Sequence, residues 1–285
     1  MKTVLVTGSG GQLGMCIKDI AVSSKETSFI YANSSELDIT NRKDVFSFFI
    51  DKNIDYCINC AAYTAVDTAE TEIEKATKIN VEGVQNLAEA CKEKGTILIH
   101  ISTDFVFDGS KITPYLETNQ TNPKGVYGKT KLQGEKVVKS VLNKHFIIRT
   151  SWLYSEHGNN FMKTMLRLGK EREVLSVVND QKGTPTYAGD LAKVILKVIE
   201  TNNSSFGTYH YSNKGVTTWY EFAKEIFEES KILIDLKPIT TAAYPTAAER
   251  PKFSALDSSK IKSILNLEIP FWKKRLKKVL SKTNK

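Results

Sequence analysis

Short apolar runs recur through the first half of the chain, spaced so that a helix fits between each pair. Thr3 to Thr7 reads as a buried strand, and strand-like runs follow at Phe29 to Ala32, Tyr56 to Asn59, Thr96 to Ile101 and Phe146 to Thr150. Helical patterns lie between them, one starting near Gln12 and the longest running from Asp67 to Lys94 with apolar positions at Ile79, Leu87 and Ala90. Strands alternating with helices imply a parallel sheet covered on both faces, because right-handed crossovers place the helices there. The expected fold class is therefore α/β, a doubly wound parallel sheet with a smaller C-terminal lobe.

After Ser151 the pattern loosens. Loop signals stand at His157 to Asn160, Asn179 to Gly183 and Pro245 to Pro251, with helical pieces near Phe161 to Lys170, Asp190 to Glu200 and Thr217 to Ser230. In the last of these, Trp219, Phe222, Ile226 and Phe227 follow helical spacing and read as a buried stripe. Residues 1–151 are expected to form the doubly wound domain. Residues 152–285 should form mainly a substrate-binding lobe, with some segments returning to the first domain. The length of 285 residues suits two such parts, and no Pro/Gly-rich linker or internal repeat separates them.

Composition narrows the class without naming a function. Hydrophobic residues at 41% and charged residues at 25% describe a globular chain, and no apolar run approaches 18 residues. The opening Met-Lys-Thr-Val-Leu-Val-Thr-Gly reaches a polar turn too soon for a signal-peptide core, so a soluble cytoplasmic protein is expected, with no membrane partner. The formal charge of +8 suggests nucleic acid until it is located: Trp272 to Lys285 holds seven basic residues and no acid, leaving 33 basic against 32 acidic in the remainder. With Trp272, Leu276, Val279 and Leu280 at helical spacing, this is expected to be a terminal amphipathic helix with a solvated basic face, and no nucleic-acid partner is expected. Four scattered cysteines (Cys16, Cys57, Cys60 and Cys91) indicate a reducing compartment. Cys57 and Cys60 have metal-ligand spacing, but in a strand their sulfurs would face opposite ways. His100 and His145 read as satisfied structural histidines, while Tyr209 and Tyr211 read as packing residues.

The candidate chemistry begins at Thr7-Gly8-Ser9-Gly10-Gly11-Gln12-Leu13-Gly14, between the first strand and the first helix. In that context Gly8 permits a tight turn, Gly11 lets backbone approach a pyrophosphate, and Gly14 lets the helix pack closely on the sheet. The helix N-terminus offers free N–H groups to phosphate. This is a dinucleotide site of Rossmann type. No acid stands in Tyr31-Ala32-Asn33-Ser34, where a ribose-binding carboxylate is expected, so NADPH is favoured and NADH is the alternative. Tyr127-Gly128-Lys129-Thr130-Lys131 places a phenol and an ammonium one turn apart on a helix. The cation is expected to pull the phenol's pKa from about 10 toward neutrality, which suits proton exchange at working pH. Ser102-Thr103-Asp104 ends a strand at the carboxyl edge where such sheets bind ligands, and Thr103 could hydrogen-bond the oxygen that Tyr127 protonates.

Further motifs are Asn59 to Asp67 (Asn-Cys-Ala-Ala-Tyr-Thr-Ala-Val-Asp), Ser102 to Phe107, Arg149-Thr150-Ser151-Trp152-Leu153-Tyr154, Gly158-Asn159-Asn160-Phe161, Asn179 to Thr186 (Asn-Asp-Gln-Lys-Gly-Thr-Pro-Thr), and Tyr244-Pro245-Thr246 to Arg250-Pro251. On these residues the chain resembles the extended short-chain dehydrogenase/reductases and, among them, the dTDP-4-dehydrorhamnose reductases, over nearly its whole length. The resemblance implies reduction of the 4-keto group of dTDP-4-dehydro-β-L-rhamnose by NAD(P)H, in a monomer or homodimer. It implies that Tyr127 donates a proton to the C4 oxygen, Lys131 binds the nicotinamide ribose and Thr103 polarises the carbonyl. Gly11, Gln12 and Leu13 would line the pyrophosphate, Asp38 and Ile39 the adenine, and Ala62, Tyr63 and Thr64 the cofactor. Asp104 and Trp152 would meet the dTDP-sugar, with Asn160 and Arg250 as diphosphate contacts.

Two departures from the family pattern matter. Phe105 follows Asp104 where relatives often carry Tyr. Cys16 stands where some relatives carry a Glu that helps hold magnesium at a dimer contact, so no metal requirement is expected. Two other functions are weighed. A sugar-nucleotide dehydratase or epimerase shares Tyr-x-x-x-Lys, but a dehydratase needs a second carboxylate where Phe105 stands. A non-catalytic regulatory subunit shares the fold, but would not need intact Thr103, Tyr127 and Lys131.

Overall fold

Each apolar run of the first half becomes a strand, and each lies parallel to its neighbours. The computed structural model describes residues 1–22, 26–50 and 52–283. The first half runs β1 (Lys2–Thr7), α1 (Gln12–Ala21), β2 (Thr27–Ala32), α2 (Arg42–Ile50), β3 (Tyr56–Asn59), α3 (Val66–Ala69), α4 (Ile73–Thr77), α5 (Gly83–Lys94), β4 (Ile97–Thr103), α6 (Val126–Val141) and β5 (His145–Thr150). The second half continues with β6 (Leu153–Tyr154), α7 (Phe161–Glu171), β7 (Val174–Val178), β8 (Lys182–Gly183), β9 (Thr186–Tyr187), α8 (Ala188–Glu200), β10 (Gly207–His210), β11 (Thr217–Thr218), α9 (Trp219–Ser230), β12 (Asp235–Ile239), α10 (Ser259–Leu265) and α11 (Trp272–Thr283). Residues 284–285 of the basic tail lie outside the described residues.

The main sheet has six parallel strands in the order β10-β5-β4-β3-β1-β2. Alternation along each strand divides its side chains between two cores. Val4, Val6, Ile99, Phe146 and Ile148 face α1 and α8, whereas Leu5, Leu98 and Ile147 face α2, α5 and α6. Cys57 falls in the second core while Cys60 packs against the first, the opposed orientation expected from strand geometry. The chain leaves β1 toward β2 and returns on the other side for β3. The carboxyl ends of β1 and β3 therefore flank a topological switch point, where a doubly wound sheet opens a crevice.

The stretch from Asp67 to Lys94 is not one helix. It breaks into α3, α4, a π-helical turn at Lys78–Glu82, and α5. The extra residue in that turn carries Asn80, fully buried, whose side chain accepts from Tyr63 N (2.9 Å) and donates to Tyr63 O and Thr130 Oγ1 (both 3.1 Å). A regular helix would not aim Asn80 at both partners, and π turns often mark functional regions. His100 is half satisfied rather than fully: Nδ1 lies 3.1 Å from Asn59 Nδ2, but Nε2 has no partner among the described residues. Burial holds the ring neutral.

A third core, built from Met162, Met165, Phe222, Ile226 and Phe227, is sealed by Trp272, Leu276, Val279 and Leu280 of α11. The tail thus docks its apolar face, while Lys273 and Lys277 pair with Glu225 and Glu229 on α9. Among the described residues no helix is long and apolar enough to cross a membrane.

Candidate functional site

A cleft of about 820 Å³ lies along the carboxyl ends of the strands, lined by the glycine turn, the loop after β3, the end of β4, the start of α6, and residues 150–161. At the glycine turn, Gly8 has φ +62°, and a Cβ there would lie 2.5 Å from Ala61 N. At Gly14 a Cβ would lie 2.6 Å from Ser9 Cα, so only glycine lets α1 begin this close to the turn. The N-terminus of α1 has no side-chain cap and no acid in its first turn, leaving its N–H groups for an anion. These features fit a dinucleotide pyrophosphate. Gly11, Gln12 and Leu13 line the cleft beside them, as do Asp38, Ile39, Ala62 and Thr64. Asn33 and Ser34 stand at the end of β2, and the Glu36 carboxylate accepts from Asn33 N (2.8 Å) instead of facing the cleft.

Tyr63 departs from its expected place. Its side chain turns away from the cleft to pack with Ala69 and Ala76, and its hydroxyl donates to Glu72 Oε2 (2.9 Å). Asn80 holds the Tyr63 backbone between Ala62 and Thr64, which line the cleft.

Thr103, Tyr127 and Lys131 converge where β4 meets α6. Two glycines allow the approach: a Cβ on Gly128 would lie 2.2 Å from Phe105 O, and one on Gly134 would lie 2.4 Å from Asn80 O. Lys131 Nζ donates to Ile101 O (2.7 Å), and Thr103 Oγ1 hydrogen-bonds the Tyr127 oxygen. Burial pushes the Tyr127 phenol up to about 12, with the Asp104 charge adding to the rise and the Thr103 hydrogen bond opposing it. The expected descent toward neutrality is therefore not what this arrangement produces. Burial decides the sign, and the Lys131 ammonium donates to a backbone carbonyl rather than to the phenol. Burial also lowers Lys131 to about 8 against the opposing charge of Glu135, and raises Asp104 to about 6.

Beneath these groups Glu135 forms a buried bidentate pair with Arg149 (2.8 and 2.7 Å) and accepts from Ser102 Oγ (2.6 Å). Tyr127, Lys131 and Glu135 are spaced by four along α6. The same helix face thus carries the phenol and the ammonium, and anchors them to β4 through Ser102.

On the far side of the cleft stand Trp152, Asn160, Phe161, Trp219 and Arg250. Asn160 caps α7 by accepting from Lys163 N (3.1 Å) and donates to Gln12 Oε1 (2.9 Å), so its amide already joins the two walls. Arg250 forms a bidentate pair with Asp67 (2.9 and 2.6 Å), which holds the Asp67 carboxyl below its ordinary range. Trp219 is only partly buried, and it packs against the core that Phe222, Ile226 and Phe227 help to form. As the first residue of α9 it faces the cleft, a distinction that helical spacing alone cannot draw.

Comparison with known proteins adds a family to this geometry. The model of the RmlD substrate binding domain matches residues 1–285. The chain is 43% identical to the dTDP-4-dehydrorhamnose reductase of Aggregatibacter actinomycetemcomitans, covering 98% of each. The chain belongs to the dTDP-4-dehydrorhamnose reductase family. Solved members superpose closely. The enzyme of Clostridium acetobutylicum gives a TM-score of 0.95 at 43% identity, over 99% of this chain and 100% of that one. The Bacillus anthracis enzyme, solved in complex with NADP, gives 0.94 at 42% identity over the same shares.

Cys16 is buried in the core between α1 and α8. Phe105 meets the Tyr127 ring edge-on, with centroids 5.5 Å apart, so it adds apolar surface against the phenol where a tyrosine would add a hydroxyl.

Proposed function

We propose that the protein reduces the 4-keto group of dTDP-4-dehydro-β-L-rhamnose to give dTDP-L-rhamnose, with NADPH as reductant. The observation that carries this reading is the convergence of Thr103, Tyr127 and Lys131 in a cleft whose other end is the uncapped N-terminus of α1, within a chain of this family from end to end. The glycine turn and α1 would hold the pyrophosphate, and Lys131 the nicotinamide ribose hydroxyls. Asn33 and Ser34, beside which the Glu36 carboxylate turns back to Asn33 N, would meet the 2′-phosphate. When bound, NADPH supplies the hydride that reaches C4.

The residues of the chain manage the other half of the addition. A ketone accepting hydride at carbon develops negative charge on oxygen, which needs both a hydrogen bond and a proton. Tyr127 gives its O–H proton to that oxygen. A phenol held near 12 is fully protonated at neutral pH, the state a donor must start from. The resulting phenolate is left one helical turn from the Lys131 ammonium, and solvent restores its proton for the next turnover. Thr103 has a single hydroxyl proton, which can go to Asp104 Oδ1 (3.1 Å) or to the Tyr127 oxygen but not to both at once. To polarise the substrate carbonyl, that rotor must turn toward the cleft. Asp104 and Trp152 are assigned to the sugar nucleotide, and Arg250 to its diphosphate.

The test is NADPH consumption, followed by absorbance, with dTDP-4-dehydro-L-rhamnose as substrate. Tyr127→Phe should reduce kcat by at least about a hundredfold, the usual contribution of a positioned acid, while NADPH binding is retained. A variant with unimpaired kcat would remove Tyr127 from the proton path. Wild type that binds NADPH but leaves this ketone untouched would point to a different sugar nucleotide.

A further inference from the structure

The substrate end of the cleft is built around an aromatic stack that the sequence pattern conceals. The Trp152 and Trp219 rings lie face to face, with centroids 3.5 Å apart and planes 8° from parallel. Phe161 leans on Trp219 with centroids 4.6 Å apart. All three residues line the cleft. Trp152 has φ +46°, in the left-handed region that a bulky residue seldom occupies, so its position must be imposed by its surroundings. Part of that surrounding is Gly183, where a Cβ would lie 2.5 Å from the indole Cε2. The rest is Trp219. It is fixed at the start of α9, where Thr218 Oγ1 accepts from Glu221 N (3.2 Å) and donates to Asn179 Oδ1 (2.6 Å).

We infer that Trp219 is a positioning residue: by stacking on Trp152 it holds that indole in the one orientation from which it receives the keto sugar. The inference rests on the reading that Trp152 meets the sugar nucleotide. A 6-deoxy-4-keto sugar presents a methyl group and C–H edges as well as hydroxyls, and a rigid aromatic wall suits those parts while excluding water from the ketone. An indole without its partner would sample other rotamers about a strained backbone, and substrate binding would have to select among them.

Three variants test this: Trp152→Ala, Trp219→Leu and Trp219→Phe. Each is measured for the KM of dTDP-4-dehydro-L-rhamnose and for kcat at saturating NADPH, for NADPH affinity by titration, and for the exciton-coupled circular dichroism of the stacked indoles. Trp219→Leu is expected to raise KM about three- to tenfold, with NADPH affinity changed less than about twofold and the exciton signal lost. Trp219→Phe, which keeps a stacking ring, should recover most of the KM. If Trp152→Ala raises KM while Trp219→Leu does not, the inference is overturned. An equal loss of NADPH and sugar affinity in Trp219→Leu, or no recovery in Trp219→Phe, would mean a merely structural role and overturns it as well. If Trp152→Ala itself leaves KM unchanged, the substrate reading of Trp152 fails, and the inference with it.

Discussion

Tyr127 and Lys131 are opposite cases of one physical effect. Burial disfavours charge, so it strengthens the phenol's hold on its proton and weakens the ammonium's. Both shifts are consistent with reduction as the working direction, since the donor begins neutral and the lysine is charged at neutral pH with little reserve. Lys131, held near 8, is protonated below that pH and loses its charge as pH rises through it; Tyr127, held near 12, keeps its proton throughout. The kcat/KM for NADPH reports the cofactor-free enzyme and should be level near neutrality, then fall by about tenfold per pH unit well above about 8. A profile level to pH 10 would show that the reaction does not need a charged Lys131. The sequence placed the two groups on one face correctly, but it predicted the wrong sign for the phenol. Spacing shows that a cation is near, while the depth of burial depends on Phe105 and the surrounding cleft walls.

At the scale of elements, the glycine turn converts a strand and a helix into an anion site, and its four glycines are not equivalent. Gly14 lies against the Ser9 backbone, whereas a Cβ on Gly10 would meet nothing closer than Asn33 Cβ at 4.0 Å. Gly14→Val should push the start of α1 off the turn and raise the NADPH dissociation constant about tenfold or more, at an overpacking cost of about 1–3 kcal/mol. Gly10→Ala should leave it nearly unchanged. Fluorescence titration of both variants checks the contrast, and equal effects would refute the packing argument. The periodic elements were readable because one strand's alternation or one helix's stripe is local. The π turn at Lys78–Glu82 was not, because the bonds that accompany it run from Asn80 to Tyr63 and Thr130, the latter 50 residues away.

Across the whole molecule, segments of the second half return to the first. β10 completes the main sheet beside β5, and α8 packs on α1. The stretch from Thr241 to Arg250 is a strap tied at both ends: Thr241 N donates to Asp180 Oδ1 (2.9 Å), and Arg250, which lines the cleft, pairs with Asp67. Both partners of the Arg250–Asp67 pair are partly exposed, so the pair stabilises the fold by no more than about 1 kcal/mol. Its effect should fall on substrate binding instead. Arg250→Ala should raise the KM for the sugar nucleotide about tenfold with little change in melting temperature, and Asp67→Asn should do so less. Steady-state kinetics alongside thermal unfolding checks this, and a large loss of melting temperature with unchanged KM would make the strap structural only.

By itself the sequence determined the parallel sheet, the glycine turn and the shared helix face of Tyr127 and Lys131. Each follows from a period of two or 3.6 residues, or from a residue type that only one local geometry requires. Tertiary structure alone decided which way Tyr63 and Trp219 face, that Asn160 and Arg250 are tied to Gln12 and Asp67, and how firmly Tyr127 holds its proton. Those properties depend on side chains brought together from distant parts of the chain, and on the water they displace, neither of which has a signature in the local pattern.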